Sequence, residues 1–279
     1  MMTTRIVAAS LPLALCALLA CQPGTEPRPP QAGRLDFAIA IHGGAGTVPR
    51  TMAPDQVAAY QASLTRALQL GRDRLAAGGA ALDVVEQVVA TLEDDPLFNA
   101  GKGAVFTYEG AHELDASIMD GQTLACGAVA GVKTVRHPIS LARLVMTKTR
   151  HVLLAGAGAD QFARDMNVEL VDNAWFDTDR RREQWRAALA KEQVGPDAGP
   201  PVPSVPLVDG GPKGTVGAVA LDRHGHLAAA TSTGGLTAKR WGRVGDSPIV
   251  GAGPYANDAP AAVSCTGTGE EFIRFGVAR

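Results

Sequence analysis

Between a charged helix and a strand of small residues lies VGPDAGPPVPSVPLVDGGPKG, residues 194–214, with six prolines and five glycines. Proline fixes φ and lacks an N–H, and glycine weakens helix and strand alike, so this stretch reads as a linker inside the domain, spanning 193–214. A structureless insertion of such length in a compact domain points to function or processing. It ends directly at Thr215, the first residue of TVGAVALD. That run, a turn at RHG and the return HLAAATS predict a hairpin of two small-residue strands. The chain thus passes from a linker into a core strand at the Gly214-Thr215 bond.

The chemistry available at that junction is specific. A threonine hydroxyl is a poor nucleophile near neutrality and needs a base within hydrogen-bond reach. No His or Lys is an obvious local candidate, but the α-amine of the same threonine, with a pKa of about 7.7–8.0, is suited to the task. That amine exists only if the Gly214-Thr215 bond is cut. Gly214 tolerates the backbone conformations such a cut needs, and a linker before it lets the new end move away. An ordinary β-branched residue opening a strand after a loop would show the same four letters.

Three downstream clusters bear on the choice. Thr231-Ser232-Thr233-Gly234-Gly235 places hydroxyls beside Thr215 if the hairpin pairs in register. Arg243-Val244-Gly245-Asp246-Ser247-Pro248 puts a cation and an anion on one turn. Thr266-Gly267-Thr268-Gly269-Glu270-Glu271 is a glycine turn opening a helix, whose free N–H groups and hydroxyls can stabilise an oxyanion. Each has a plainer reading: a strand end, a surface ion pair worth little, and a helix cap with acids in its first turn.

The rest of the chain fits a soluble enzyme domain behind an export segment. With 279 residues, a net charge of -2 and 46% hydrophobic residues, the composition suits one large globular domain or two small ones. The 26 basic residues form no block interleaved with aromatics, which argues against nucleic acid as a partner. Residues 6–20 are apolar but broken by Ser10 and Pro12, and read as a signal over 1–20 rather than a span. Its end, Leu18-Leu19-Ala20-Cys21, resembles the bacterial lipobox, with Cys21 the lipidated residue; an ordinary secretory signal cut nearby is the alternative. Gln22 after it favours, by analogy, the periplasmic side of the outer membrane. The proline-rich stretch 21–34 is then a tether, and the folded domain covers 35–279. Periodicity predicts strands at 37–41, around Val105, at 113–119, 127–132 and 151–154, and helices at 54–77, 80–92, 138–147, 157–165 and 180–192. Cys126 and Cys265 read as buried unpaired thiols, and the six histidines show no ligand spacing.

Taken in order, IAIHGGAG, PLFNAGKGAVF, ELDASIMDG, GTVGAVALD, AAATSTGG, GRVGDSPIVGAG and SCTGTGE closely resemble the plant-type asparaginase / isoaspartyl peptidase family of N-terminal-nucleophile hydrolases, over about residues 36–279. The resemblance implies an α+β fold, the four-layer αββα sandwich, cut into an α fragment (35–214) and a β fragment (215–279) and paired as a dimer of αβ units. It implies Thr215 as nucleophile and base, and Thr233 as support for its hydroxyl. Arg243 would bind the α-carboxylate of an aspartyl substrate, and Asp246 with the Gly269 carbonyl its α-ammonium. Thr266 and the Gly267 N–H would form the oxyanion hole, and Asn99 with the glycines of HGGAG the floor. It implies no organic cofactor, and a structural sodium held by backbone carbonyls of a loop containing Leu92, Glu93, Asp95, Phe98, Ala100 and Lys102. The activity implied is hydrolysis of isoaspartyl dipeptides and L-asparagine. Glycosylasparaginase is the alternative within the class. Because family members usually continue past the GTGE helix, a truncated, non-catalytic lipoprotein is the alternative outside it.

Overall fold

Two periodicities build the fold: alternating small and apolar residues make the sheet, and apolar residues three or four apart make the helices covering it. The computed structural model describes residues 35–46, 51–194 and 214–279. The expected signal and tether, with Cys21, and all but the ends of the linker lie outside the described residues. Leu35–Arg279 forms one compact unit.

Strand β1 (Ala38–His42) runs into the HGGAG loop. Helix α1 (Pro54–Ala76) opens with a proline, whose missing N–H is one the first helical turn leaves unpaired anyway. It stops at Gly78, where φ is +88°, and Gly79 N–H bonds the Arg74 carbonyl at 2.9 Å. Helix α2 (Ala81–Glu93) buries Val84, Val85, Val88, Val89 and Leu92 along one stripe. No side chain from its own N-cap position serves it. Instead Asp222, from a distant turn, accepts the Ala81 N–H at 3.1 Å, and its other oxygen accepts from His224 and His226 N–H. Burial opposes ionisation of Asp222, but these main-chain donors outweigh it and hold the carboxyl below its ordinary range.

Next come β2 (Leu114–Asp120), β3 (Cys126–Val132), α3 (Pro138–Lys148), β4 (Leu153–Ala155), α4 (Gly156–Asp165) and α5 (Asp179–Val194). After the linker follow β5 (Val216–Leu221), β6 (Leu227–Thr233), β7 (Pro254–Asn257), β8 (Ala261–Ser264) and α6 (Gly269–Phe275). The strand expected around Val105 is absent: its N–H is taken by the Asn99 side chain at 2.9 Å, and only Thr107 makes an isolated bridge, to Lys239. The pair β7–β8 was not anticipated, each being four residues long without clear alternation.

The main sheet has the order β1-β5-β6-β2-β3-β4, and β7–β8 form a second sheet. Side chains of the central strands part by alternation. Ala116, Ile118, Val216, Ala218, Ala220, Ala228 and Ala230 join the large core shared with α1, α2 and α3, whereas Met119, Val219 and Ala229 meet Ala256 of β7 on the opposite face. Helices, large sheet and small sheet therefore stack as the first three layers of the expected αββα sandwich, and the chain is α+β. Small residues set how closely the layers approach. Gly71 of α1 sits where a Cβ would come within 2.3 Å of Ile39 Cδ1, and Gly127 of β3 where one would meet the Ala142 carbonyl of α3 at 2.1 Å.

Gly127→Ala is expected to push α3 off the sheet and lower the unfolding free energy by about 1–3 kcal/mol, read as a lower urea midpoint at unchanged slope.

Candidate active site

Strand β5 pairs with β6 antiparallel, Val216 opposite Ser232 and Gly217 opposite Thr231. One step further, Thr215 stands level with Thr233. Opposed residues share a face, and this is the face away from the helices: Ser232, between the two threonines, points the other way and donates to Glu93 Oε1 of α2 at 2.6 Å.

Thr215 is buried, and so are the groups about the bond before it. The Gly214 carbonyl oxygen accepts two side-chain hydrogen bonds, from Thr233 Oγ1 at 2.8 Å and from Asn99 Nδ2 at 2.9 Å. Asn99 is itself fixed: Nδ2 also donates to the Gly235 carbonyl at 2.8 Å, Oδ1 accepts from Val105 N–H at 2.9 Å, and its carbonyl accepts from Gly234 N–H at 3.1 Å. Thr233 Oγ1 is oriented by the Gly235 N–H at 3.0 Å. Two fixed donors on one amide oxygen polarise it and suit the charge that develops there when a nucleophile adds. The HGGAG loop closes over the same bond: a Cβ on Gly44, at φ +104°, would lie 2.5 Å from Gly214 Cα and 2.8 Å from Thr215 N. Only glycine fits there.

A small pocket opens at Thr215, lined also by Gly214, Thr233, Gly235, Leu236, Arg243, Gly245, Asp246, Ser247 and Gly267. Of the residues singled out in the sequence, Arg243, Asp246 and Gly269 meet here: a Cβ on Gly269 would lie 2.9 Å from Arg243 Nη2 and 3.0 Å from Asp246 Oδ1. The surface ion pair between Arg243 and Asp246, the plainer reading of the turn, is not what forms. Arg243 instead bonds Glu270 Oε1 through Nε at 3.0 Å and Nη2 at 2.9 Å, because α6 brings its first-turn acid alongside the guanidinium. Asp246 Oδ2 is buried with no hydrogen-bond partner. Burial raises the Asp246 pKa to about 6, with Arg243 acting against that shift and Glu270 and Asp115 adding to it. A buried, unsatisfied carboxylate oxygen in a pocket is a seat for a cationic group. Thr266 is tied to the loop over the Gly214-Thr215 bond, its Oγ1 accepting the Ala45 N–H of the HGGAG loop at 3.0 Å.

Sequence reasoning missed three neighbours. His42 lies opposite Gly217, bonds Ser264 Oγ at 2.8 Å, and is kept toward its neutral form by burial, with a Thr215 main-chain contact acting against that. Ser247 Oγ lies 3.2 Å from Thr215 Oγ1, and Glu270 holds Arg243. Gly217 was the available signal for the first, since a Cβ there would be 2.4 Å from His42 Nε2.

The loop 92–102 carries Asn99. Among the described residues no group of His, Cys, Asp and Glu could hold a metal ion, and the acids of this loop are spent elsewhere. Glu93 accepts from Ser232 and from Ile139 N–H, and burial raises its pKa to about 8. Asp95 accepts from Ser63 and from Leu97 N–H. What the loop does offer is main-chain oxygen: Gly101 and Gly103 admit the Glu93 and Phe98 carbonyls where a Cβ would sit 2.2 Å from each. The carbonyls of Leu92, Asp95 and Ala100 accept short-range bonds from Asp95, Phe98 and Gly103 N–H. Lys102 contributes its ammonium, to the Trp175 carbonyl. Helix α5 clamps the outside of the loop, Arg180 on the Leu97 carbonyl and Arg181 on that of Gly103, both at 2.6 Å.

A buried threonine opening a central strand, with its preceding carbonyl held by two fixed donors, defines an N-terminal-nucleophile hydrolase. The chain belongs to the asparaginase family, whose pattern it matches over residues 35–279. It is 54% identical to the isoaspartyl peptidase of Salmonella typhimurium, over 85% of this chain and 74% of that protein. It is 53% identical to the isoaspartyl peptidase of Escherichia coli, over 85% and 73%, and 46% identical to a probable isoaspartyl peptidase/L-asparaginase of Arabidopsis thaliana, over 87% and 78%.

Asn99→Ala removes one donor from the Gly214 carbonyl and is expected to slow cleavage of the Gly214-Thr215 bond by about 10²–10³-fold, followed as conversion of one band to two.

Proposed function

We propose that this chain cuts itself between Gly214 and Thr215 and then uses Thr215 to hydrolyse isoaspartyl dipeptides and L-asparagine, releasing L-aspartate. The observation that carries the reading is the pair of donors, Thr233 Oγ1 and Asn99 Nδ2, on the Gly214 carbonyl. Attack by Thr215 Oγ1 on that carbonyl gives an ester as the bond from the Gly214 carbonyl carbon to Thr215 N breaks and frees the α-amine; water then opens the ester to a Gly214 carboxylate and the Thr215 hydroxyl. The amine then accepts the Oγ1 proton for every later attack.

An aspartyl substrate carries an α-carboxylate, an α-ammonium and a side-chain amide. Arg243 takes the carboxylate, since a guanidinium can serve two carboxylates at once, with Glu270 on Nε and Nη2 and substrate on the remaining donors. The ammonium meets the unpartnered Asp246 Oδ2 and the Gly269 carbonyl. Thr266 Oγ1 and Gly267 N–H receive the oxyanion as the β-aspartyl ester forms on Thr215. Thr233, whose hydroxyl donates to the Gly214 carbonyl before the cut, is released by the cut to support Thr215 Oγ1, and Asn99 with the glycine loop shapes the floor.

A monovalent cation would be held in the loop 92–102 by main-chain oxygens, because hard cations take oxygen ligands and Glu93 Oε1 and Asp95 are already engaged by Ser232 and Ser63. The backbone carbonyls of Leu92, Glu93, Asp95, Phe98, Ala100 and Lys102 would hold sodium, which supplies rigidity to the loop that presents Asn99. The signal and lipobox readings support an enzyme anchored through Cys21 on the periplasmic side of the outer membrane, and the family resemblance supports a dimer of αβ units. No helix among the described residues is long and apolar enough to cross a membrane.

Two measurements test this reading. Wild-type protein should mature into two fragments, the smaller beginning TVGAV, and release aspartate from both substrates, whereas Thr215→Ala should stay intact and inert. Cleavage or turnover by Thr215→Ala would overturn it. The second is the acid limb. Asp246 keeps its proton until about pH 6, so its charge, and with it the ammonium site, appears as pH rises through that value. The kcat/KM should therefore climb across pH 5–7, and Asp246→Asn should lose the limb and raise KM by about 100-fold.

A further inference from the structure

Before the chain is cut, Thr215 has no α-amine, because its nitrogen is still in the peptide bond to be broken. The first attack must orient Oγ1 without the base that serves every later one. Among the described residues no His, Lys or carboxylate is hydrogen-bonded to Thr215 Oγ1; its partner is the hydroxyl of Ser247, at 3.2 Å.

Ser247 is held unusually firmly for a loop residue. It is 1% exposed. Its carbonyl accepts hydrogen bonds from Thr231 Oγ1 at 2.7 Å and from Ser117 Oγ, and those two hydroxyls are themselves 3.2 Å apart. Thr231 and Ser117 are register partners in β6 and β2, one row below Thr233, on the face that carries Thr215. The turn at Ser247 is closed by Ile249 N–H on the Asp246 carbonyl at 2.8 Å. Two buried strand hydroxyls thus fix the main chain of a turn that holds the Ser247 hydroxyl against the nucleophile. For Oγ1 to present a lone pair to the Gly214 carbonyl, its proton must point elsewhere; either hydroxyl of the Thr215–Ser247 pair can donate, and attack requires the arrangement in which Ser247 Oγ accepts.

We propose that Ser247 is the orienting hydroxyl of the self-cleavage step, accepting the Thr215 Oγ1 proton in a hydrogen bond until the α-amine is released to replace it. This inference rests on the self-cleaving hydrolase reading above. In the step, the bond from Thr215 Oγ1 to the Gly214 carbonyl carbon forms and the bond from that carbon to Thr215 N breaks. The proton of Oγ1 ends on Thr215 N, and water then hydrolyses the ester; Ser247 is left unchanged. The same turn carries Asp246, so the seat for the substrate ammonium and the guide for the nucleophile are consecutive residues.

The test follows cleavage of freshly purified full-length precursor by mass analysis for Ser247→Ala, Ser247→Cys and Ser247→Thr, with the unfolding midpoint of each. The expected order of rates is wild type, then Thr, then Cys, then Ala, with Ala at least about tenfold slow, as for loss of a positioned hydrogen-bond partner. Packing alone orders the variants the other way: in a site this buried, Ala leaves a small gap while the Thr methyl crowds. In protein that has matured, the loss in kcat for Ser247→Ala should be at least about fivefold smaller than the loss in cleavage rate, because the α-amine has taken over. Cleavage of Ser247→Ala at the wild-type rate, or equal losses in both steps tracking a lowered midpoint, would overturn the proposal. Should Ser247→Thr not fold, Ser247→Cys against Ser247→Ala decides alone. Cleavage in a parallel Thr215→Ala sample would instead sink the parent reading, so the two failures are separable.

Discussion

The site depends on the antiparallel register of β5 against β6. With Val216 opposite Ser232, Thr215 and Thr233 fall on one face, and the Gly214 carbonyl comes within reach of the Thr233 hydroxyl. A slip of β5 by one residue would set Thr215 opposite Ser232 and turn it toward the helices, away from Thr233. The register is secured from both faces. On the helix side, Ser232 bonds the buried Glu93 and the alanines of β5 and β6 fill the large core. On the other, Met119, Val219 and Ala229 lie under β7 and β8.

That second face changes character along its length. At the β7–β8 end it is apolar and covered, and at the Thr215 end it carries Thr233, Thr231, Ser117 and Asp115. Each polar group there needs a partner, since leaving it buried and unmade is costly. Thr231 and Ser117 find the Ser247 carbonyl. Asp115 receives the Gly131 N–H at 2.8 Å, with Lys239 3.9 Å from its second oxygen. Asp115 Oδ2 and Asp246 Oδ2 are left without a hydrogen bond, and of the two acids Asp246 is the one that lines the pocket. Its unpartnered oxygen is the atom on which the proposed ammonium site rests.

Several parts of this arrangement were legible in the chain. The linker ending at Thr215, the alternation Thr231-Ser232-Thr233 and the glycine of the HGGAG loop each reflect a local rule: breakers, period two, and close backbone approach. The turn joining β5 and β6 and the stripe of α2 belong to the same group. The strand expected around Val105 failed for a reason no local pattern contains, because Asn99, itself held by two distant carbonyls, takes the Val105 N–H. Asp222 capping α2 from 141 positions away and Glu270 displacing Asp246 from Arg243 are of the same kind. Each is a choice among partners that only spatial neighbours supply.

By itself the sequence determined which bond is special and which residue types surround it, because breakers, periodicity and the order of the motifs are properties of the chain. It also determined the two-layer logic of the strands, through the alternation of small and polar residues. Only the tertiary structure decided who bonds whom: that Asn99 joins Thr233 on the Gly214 carbonyl, that Arg243 is held by Glu270, and that Ser247 stands against Thr215. Those pairings depend on distances between segments far apart in the chain, and a hydrogen bond is made or lost over less than an ångström.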